Sequence, residues 1–392
     1  MNNCDKYREK LEEELSSLKF EENISTPKIS IIIPAYNVEN YIAKCLFSII
    51  KQSFKDFEIL IVDDGATDRT NEIIKIFSKF DNRIKLIEQK NQGAGTAKNN
   101  ALNQAIGKYI IFVDSDDVLL PDALKMAYDT ISQNEVDVVV FGAEGILEDK
   151  KVNCSYGIEN VSNEIKNKIL IQKEKYIFKL PVIAMCKIYD REFLVKNSIY
   201  FQTTKTGEDQ IFHIKAILLA DKIFILDKNL YGYRKRRKGS LTSSKKKKDN
   251  SVIYNFYAIK DFLQNTDYPI GFNNKVLNKY FIKSVSWLGK CADDSCDSCG
   301  WCSHYLFACE THWGLPDGGN VCKKYGRERE ASAYRAHPAL QYAFCLRHCF
   351  CGTDLFCGYR SAASGKTDDQ NSKADYSDSG MFSVWRCNHI VL

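Results

Sequence analysis

Three carboxylates follow one apolar run in the middle of the chain. The segment YIIFVDSDD, from Tyr109 to Asp117, places Asp114, Asp116 and Asp117 after five β-branched or aromatic residues. Such a run predicts a buried strand, so the carboxylates fall on the loop at its carboxyl end. Carboxylates this close raise one another's pKa unless a cation lies among them. Hard oxygen ligands of this kind suit Mg²⁺ or Mn²⁺, bound through one or two carboxylates and substrate phosphates. The alternative is a solvated acidic turn that caps the next helix.

Apolar runs of strand type recur at regular intervals around this segment, and helical patterns fill the gaps between them. The predicted strands are Ile29–Ile33, Phe57–Val62, Ile84–Glu88, Tyr109–Val113 and Val136–Phe141. The predicted helical faces are Ile42, Leu46, Ile49 and Ile50, then Ile73, Ile74 and Phe77, then Ala101, Leu102, Ala105 and Ile106, with Pro121 at the start of a fourth helix. This alternation predicts an α/β fold with a mostly parallel central sheet flanked by helices.

Polar signatures stand at the carboxyl ends of three predicted strands. They are Pro34–Asn37, Asp63–Asp68 and Asp114–Asp117. Ligands of open α/β sheets bind beyond these ends, so we expect one composite site there. No GxGxxG and no GxxxxGK[ST] follows the first strand, which argues against dinucleotide and P-loop binding. A nucleotide would instead be held by acidic and aromatic groups and through a metal ion.

Several motifs in the same order resemble the family 2 glycosyltransferases of the GT-A fold over about residues 27–245. The matching segments are IIIPAYN (Ile31–Asn37), ILIVDDGATD (Ile59–Asp68), NQGAGTAKNNAL (Asn91–Leu102), YIIFVDSDD (Tyr109–Asp117), GEDQIF (Gly207–Phe212) and YGYRKRRKGSLT (Tyr231–Thr242). The resemblance implies the nucleotide-diphospho-sugar transferase type of α/β fold and a UDP-sugar donor.

The resemblance assigns one set of residues to the nucleotide and its metal ion. The nucleotide-binding set is Pro34, Ala35, Tyr36, Asn37, Asp63, Gly93, Lys98, Asp114, Ser115 and Asp116. Tyr36 would stack on the base, and Asp63 would accept a hydrogen bond from the uracil N–H. Asp114, Asp116 and Asp117 match the DXD region, which holds Mn²⁺ or Mg²⁺. Lys98 stands where the family often has Arg, and lysine supplies charge without the bidentate fork.

The resemblance also assigns residues to the acceptor side. Asp209 matches the catalytic base of an inverting transferase, which removes the proton of the acceptor hydroxyl. Glu208 would orient the acceptor or tune that base, and Lys187 lies in an acceptor-side segment. Tyr233 and Arg234 would belong to a lid over the diphosphate. Without the resemblance, Glu208 and Asp209 read as an acidic pair favoured by a helix N-terminus.

Composition and charge limit the classes of partner. The 392 residues are 44% hydrophobic and 27% charged, with a formal net charge of +5. We expect a cytoplasmic protein, because no apolar run is long enough to span a bilayer and no secretory segment opens the chain. The basic loop Arg234–Lys248, with Lys245–Lys248 at its end, would place it peripherally on the anionic inner face of the cytoplasmic membrane. A solvated flexible loop is the alternative, and no nucleic-acid partner is expected.

The segments outside the catalytic region differ in composition. Residues 1–26 predict a helical extension with Leu11, Leu15 and Leu18 on one face, and residues 246–290 predict two amphipathic helices around the turn Pro269–Gly271. Residues 291–392 hold eleven of the 15 cysteines and a single isoleucine, Ile390. Their Cys and His spacings allow Zn²⁺ binding, a disulfide-rich segment or foreign sequence joined to the chain.

The sequence therefore predicts a metal-dependent inverting glycosyltransferase. It would transfer a hexosyl or N-acetylhexosaminyl group from a UDP-sugar to a polysaccharide or lipid-linked oligosaccharide in cell-surface glycan biosynthesis. One alternative is a sugar-1-phosphate nucleotidyltransferase, which shares the layout but needs a Gly-rich basic loop after the first strand. The other is a degenerate nucleotide-sugar-binding module.

Overall fold

The structure is a computed structural model that describes residues 3–18, 26–147, 150–171, 173–204, 206–235, 251–268, 273 and 276–277. Its strands are β1 (Ile29–Ala35), β2 (Phe57–Asp63), β3 (Ile84–Glu88), β4 (Tyr109–Phe112), β5 (Val118–Leu119), β6 (Val138–Leu147), β7 (Lys150–Val152), β8 (Lys168–Leu170), β9 (Lys187–Asp190) and β10 (Ile223–Arg234). Its α-helices are α1 (Asn3–Ser16), α2 (Ile42–Ile50), α3 (Thr70–Phe80), α4 (Ala94–Gln104), α5 (Ala123–Asn134), α6 (Arg191–Lys196), α7 (Glu208–Leu219) and α8 (Ser251–Gln264).

One mixed sheet forms the centre of the described chain. Its strand order is β3-β2-β1-β4-β9-β6-β10-β5, with β7 on β6 and β8 on β10. Strands β3, β2, β1 and β4 pair in parallel, as do β6 and β10. Between these two groups lies β9, antiparallel to both β4 and β6. The predicted fourth and fifth strands are therefore not neighbours, because β9 arrives from much later in the chain and separates them.

The register of the parallel strands sets the position of the polar loops. Ala35 pairs with Asp63, and Asp63 pairs with Glu88, so β1, β2 and β3 end at one level. On the other side of β1, the Val113 amide donates to the Ile32 carbonyl at 2.9 Å. The loop that begins at Asp114 therefore leaves the sheet beside the end of β1.

The helical faces predicted from the sequence pack on this sheet with one exception. The buried residues of α2 and α3 include all seven predicted on their faces. In the third face Ala101, Leu102 and Ala105 are buried, whereas Ile106 is 55% exposed. The prediction for Ile106 was wrong because α4 ends at Gln104, and the helical period no longer applies beyond that residue.

An aromatic cluster packs α7 against the sheet beneath its polar edge. The rings of Phe201 and Phe212 stack with centroids 4.0 Å apart, and Phe112 of β4 meets both edge-on at 4.9 and 5.5 Å. Such pairs contribute about 0.5–1.5 kcal/mol each beyond the area they bury. The cluster fixes the depth at which the first turn of α7 lies over β4.

The helical extension at the N-terminus packs on the outer face of α3. Leu11 and Leu15 are buried there, and Arg8 forms an ion pair with Glu72. Exposed pairs of this kind contribute at most about 1 kcal/mol. Most of the free energy that holds α1 on α3 therefore comes from the burial of the two leucines.

Several predicted segments lie outside the described residues. They are most of the second amphipathic helix, the turn Pro269–Gly271, the basic loop from 236 to 248 and the Cys-rich tail. The chain divides after Cys291, and the second unit, residues 292–392, is not described. Within the described part, no helix is long and apolar enough to cross a membrane.

Candidate active site

Two aspartates at the end of β2 shape the first wall of the site. Asp63 accepts from the Ala66 amide at 2.8 Å and from Asn71 Nδ2 at 2.5 Å, and it is only 5% exposed. Asp64 accepts from the Gln92 and Gly93 amides, each at 2.8 Å. Asp64 therefore ties the end of β2 to the N-terminus of α4, and Asp63 keeps its own turn closed.

The end of β1 presents an exposed aromatic ring. Pro34 and Ala35 are buried within the strand, whereas Tyr36 is 45% exposed. Asn37 has a φ of 50°, and its Oδ1 accepts from the Thr67 amide at 2.8 Å, which joins this loop to the one after β2. Tyr36 is therefore accessible to a planar ligand at the end of β1.

The acidic loop after β4 is anchored from β10. The Tyr231 hydroxyl donates to Asp117 Oδ2 at 2.7 Å and accepts from the Asp114 amide at 3.1 Å. The other oxygen of Asp117 accepts from the Arg234 amide at 2.7 Å, and Arg234 Nε donates to the Asp116 carbonyl at 2.8 Å. Asp117 is thus turned inward to hold the loop, whereas Asp114 and Asp116 are half-buried.

One buried ammonium joins this loop to the start of α7. Lys98 is 2% exposed, and its Nζ lies 3.8 Å from Asp114, 3.6 Å from Glu208 and 3.4 Å from Asp209. Its charge also lies 4.9 Å from the centroid of the Phe201 ring. A single cation therefore faces carboxylates from the predicted donor side and the predicted acceptor side at once.

Several carboxylates share the one buried ammonium, and the pKa values of Asp114, Asp117 and Glu208 are raised. Burial raises the pKa of Asp114 to about 7, against the lowering effect of Lys98 and with a further rise from Asp116, Asp209 and Glu208. Burial and the neighbouring carboxylates also raise the pKa of Asp117 and of Glu208. The pKa of Lys98 is raised despite burial, because Asp209, Asp114 and Glu208 stabilise its charged form.

This excess of negative charge fits a divalent cation of the kind the sequence predicts. The donors are hard carboxylate oxygens, and Asp116, Asp209 and Glu208 add to the rise that burial causes in the Asp114 pKa, a repulsion that such a cation would relieve. Within the described residues no three acidic, His or Cys side chains are arranged as a complete metal-binding group. Both oxygens of Asp117 accept hydrogen bonds from β10, so Asp114 and Asp116 are the members of the predicted trio that would hold such an ion, together with oxygens of a ligand.

The remaining predicted residues are distributed between the core and the crevice, by which we mean the region bordered by Tyr36, Asp63, Asp114, Asp116 and Asp209. Ser115 is buried, and Gly93, with a φ of 90°, caps α4. Tyr233 packs edge-on against Tyr156 at 5.5 Å, and burial raises its pKa. The guanidinium of Arg234 lies 5.3 Å from the Tyr41 ring.

Lys187 lies below the crevice and not in it. It is fully buried, and its Nζ donates to the carbonyls of Pro181 at 2.5 Å and Ile183 at 2.8 Å. Burial lowers its pKa to about 8. The neighbouring Cys186 is equally buried. The structure thus gives Lys187 a role in holding the segment before β9 and does not bring it to an open surface.

Sequence reasoning missed Tyr231 as a site residue. In the sequence Tyr231 stands only as one residue of the motif Tyr231–Thr242, whereas Tyr233 is one of the predicted lid residues. Successive side chains of a strand alternate between its faces, so Tyr231 lies on the same face of β10 as Tyr233, and the Tyr231 hydroxyl is the group that bonds to Asp117. That spacing is the signal that would have found it.

Comparisons with known proteins identify relatives of this chain in sequence and in structure. The sequence matches the family model Glycosyl transferase family 2 over residues 30–196. It is 40% identical over 224 residues to glycosyltransferase GlyA of Streptococcus pneumoniae serotype 4, an alignment covering 55% of this chain and 31% of GlyA. It is 31% identical over 221 residues to glycosyltransferase GlyG of the same organism, covering 54% of this chain and 72% of GlyG. The structure is similar to that of Staphylococcus aureus TarS residues 1–349 in complex with UDP-GlcNAc, with a TM-score of 0.60 and 28% identity over 72% of this chain and 81% of that chain.

The chain has the GT-A fold, the α/β fold of the nucleotide-diphospho-sugar transferase type, as predicted. It belongs to glycosyltransferase family 2. It spans 31% of the length of GlyA and 37% of that of TarS.

Proposed function

We propose that this chain is a metal-dependent, inverting glycosyltransferase. It transfers a sugar from a UDP-sugar to a hydroxyl of a polysaccharide or lipid-linked oligosaccharide in cell-surface glycan biosynthesis. The observation that carries the proposal is the position of Lys98, within 3.8 Å of Asp114 and 3.4 Å of Asp209. It brings the donor side and the base into one crevice.

The donor side supports a uridine diphosphate ligand. Tyr36 offers an exposed ring for stacking, and Asp63 lies at the adjacent strand end for the imide N–H. Crystal structures of TarS contain UDP-GlcNAc and UDP. The sugar is a hexosyl or N-acetylhexosaminyl group, since relatives are named as N-acetylglucosaminyl- and glucosyltransferases of poly(ribitol-phosphate).

The metal ion is Mn²⁺ or Mg²⁺, with Asp116 and Asp114 as its protein ligands. When bound, it supplies Lewis-acid stabilisation for the leaving diphosphate. Around it, Tyr231 and Asp117 hold the acidic loop in place through hydrogen bonds at 2.7 and 3.1 Å. Arg234, which binds the Asp116 carbonyl, supplies a further positive charge at the mouth of the site.

Asp209 is the base of the transfer step. Its carboxylate takes the proton of the acceptor hydroxyl while that oxygen forms a bond to the anomeric carbon. The bond from that carbon to the phosphate oxygen breaks on the opposite face, and the electron pair leaves with UDP. Glu208 helps to orient the acceptor, and Lys98 holds the Asp209 carboxylate at the crevice through an ion pair at 3.4 Å.

The family assignment favours this reaction over the nucleotidyltransferase considered from the sequence. The loop after β1 also lacks the Gly-rich basic character that such an enzyme needs, because it reads PAYNVEN. A degenerate binding module would not need Asp209 held beside Lys98 at the crevice.

The direct test is a screen of UDP- and GDP-sugars, with nucleotide release followed in Mn²⁺ and in excess EDTA. We expect release from a UDP-sugar that EDTA abolishes and added Mn²⁺ restores. Release from GDP-sugars alone would contradict the assigned donor, and release unaffected by EDTA would contradict the assigned metal.

Asp209→Asn tests the base. The amide preserves shape but accepts no proton, so turnover should fall by about 10³-fold or more while UDP still binds. Asp221→Asn, an exposed aspartate just past the far end of α7, is the matched control. Wild-type turnover in Asp209→Asn would refute the assignment.

The basic loop Arg234–Lys248 supports a second partner, an anionic membrane surface. Nine of its residues are Lys or Arg, and each contributes about 1 kcal/mol near such a surface. Co-sedimentation with phosphatidylglycerol vesicles should occur at low salt and disappear at high salt. Equal binding to neutral vesicles would contradict this part of the proposal.

A further inference from the structure

Helix α8 contacts the segment that leads into α7, far from it in sequence. Asn255, on α8, is 1% exposed, and its Nδ2 donates to the Thr206 carbonyl at 3.0 Å. Its Oδ1 accepts from the Thr204 hydroxyl at 3.3 Å. One turn earlier on α8, Ser251 Oγ accepts from the Thr206 amide at 3.3 Å. A buried amide with both ends bonded specifies one geometry, because a shift would leave polar groups unsatisfied.

The backbone held by Asn255 is the cap of the helix that carries the base. Gly207 is the N-cap of α7 and has a φ of 73°, a conformation that favours glycine. An added Cβ there would lie 2.9 Å from Asn255 Nδ2, so the helix passes directly against the cap. Asp209 is the second residue of α7, and a rotation at the cap would move its carboxylate away from Lys98.

The two helices lie side by side and run in the same direction. Asn255 lies beside the first turn of α7, and the Tyr268 hydroxyl donates to the Leu218 carbonyl near its end at 3.0 Å. Ile259 and Leu263 are fully buried along α8. The apolar face therefore docks α8 as a rigid element, and Asn255 transmits that rigidity to the cap.

We propose that Asn255 is a positioning residue for Asp209. By fixing Thr206 and the Gly207 cap, it holds the first turn of α7 so that the carboxylate of Asp209 faces the crevice. This inference rests on the proposed role of Asp209 as the base. The region after the basic loop thereby contributes to the transfer step without touching substrate.

Asn255→Ala tests the proposal by a split between binding and turnover. The assay follows UDP release in Mn²⁺ from UDP-GlcNAc or UDP-glucose, whichever the protein turns over. We expect kcat to fall by about tenfold, the effect of one or two lost hydrogen bonds on the transition state. The Kd for UDP should change by less than about twofold, since no donor-side contact is removed.

A double-mutant cycle separates positioning from general damage. In the Asp209→Asn background the base is absent, so adding Asn255→Ala should lower the residual turnover by less than about twofold. An equal fold loss in both backgrounds would overturn the proposal, as would wild-type kcat in Asn255→Ala. Wild-type kcat in Asp209→Asn would instead refute the base itself, which is a different failure.

Hydrogen exchange gives a readout that needs no turnover. Asn255→Ala should speed exchange at the amides of 206–210 by about tenfold and leave those of β1 unchanged. Asn265→Ala, an exposed asparagine just past the end of α8, is the matched control and should change neither. Faster exchange everywhere, or no change at 206–210, would overturn the positioning role.

Discussion

Lys98 Nζ lies 3.4 Å from Asp209 Oδ1, across 111 positions of sequence. The lysine comes from α4, which follows the third strand, and the aspartate from the first turn of α7. Their approach depends on Gly95, where an added Cβ would lie 2.4 Å from the Gln202 carbonyl. The contact is the point at which the donor half and the acceptor half of the site meet.

Removing this cation should destabilise the protein strongly. Lys98→Met leaves Asp114, Glu208 and Asp209 without their shared counter-ion, and breaking a buried pair costs about 3–5 kcal/mol. Lys125→Met, which removes an exposed lysine paired with Asp129 at 2.9 Å, should cost less than about 0.5 kcal/mol. Urea unfolding at neutral pH measures both. Equal losses would mean that Lys98 is not the organising charge.

The hydroxyl of Tyr231 should matter for both stability and donor binding. Tyr231→Phe removes its bonds to Asp117 and to the Asp114 amide, at a cost of about 1–3 kcal/mol for the buried groups left unpaired. The loosened acidic loop should weaken UDP binding in Mn²⁺. Tyr254→Phe, at a tyrosine 59% exposed on α8, is the control for removing a phenolic hydroxyl from an exposed side chain. Calorimetric titration measures the affinity for UDP, and thermal unfolding measures the stability. Unchanged values of both in Tyr231→Phe would contradict this role of the hydroxyl.

The pKa of Asp114 predicts a pH dependence of stability in metal-free buffer. Burial raises this pKa from 3.8 to about 7 in the folded protein. An acid whose folded pKa is raised contributes stability at low pH, and that contribution is lost as the pH rises through 7. Asp114→Asn stays uncharged, so its free energy of unfolding relative to wild type should increase by at least about 1 kcal/mol between pH 4 and pH 8.

That comparison is best made by urea unfolding at several pH values with EDTA present, because the difference between the two proteins cancels the other titrating groups. A difference that stays constant across this range would mean that Asp114 titrates at the same pH in both folded and unfolded states. A difference that shrinks with rising pH would reverse the predicted sign.

Gly207→Ala should damage the cap of α7 in two ways. The left-handed conformation costs about 1–2 kcal/mol for a residue with a Cβ, and that Cβ would lie 2.9 Å from Asn255 Nδ2. We expect thermal unfolding to show a loss of stability larger than this conformational cost alone, because the contact with Asn255 adds to it. Asn255→Ala in the Gly207→Ala protein should remove part of that excess, and a strictly additive result would count against the close contact.

Much of the central sheet follows from local pattern. The runs Ile29–Ile33, Phe57–Val62 and Ile84–Glu88 become strands because β-branched residues bounded by polar turns favour them. The antiparallel β9 could not be found in this way. Its sequence, KIYD, has a charged residue at each end and so gives no apolar run, and its position depends on pairing with β4 and β6, both distant in sequence.

The sequence by itself determined which chemical groups this protein has and that strand ends would present them. Composition and period fix local structure, and acidic or aromatic residues follow three of the runs within a few positions. Only the tertiary structure decided their partners. It turned Asp117 inward to Tyr231, buried Lys187 on backbone carbonyls, and placed Lys98 among three carboxylates. Those outcomes depend on contacts between segments far apart in the chain, and the free energy of such contacts is set by packing and desolvation that no local pattern encodes.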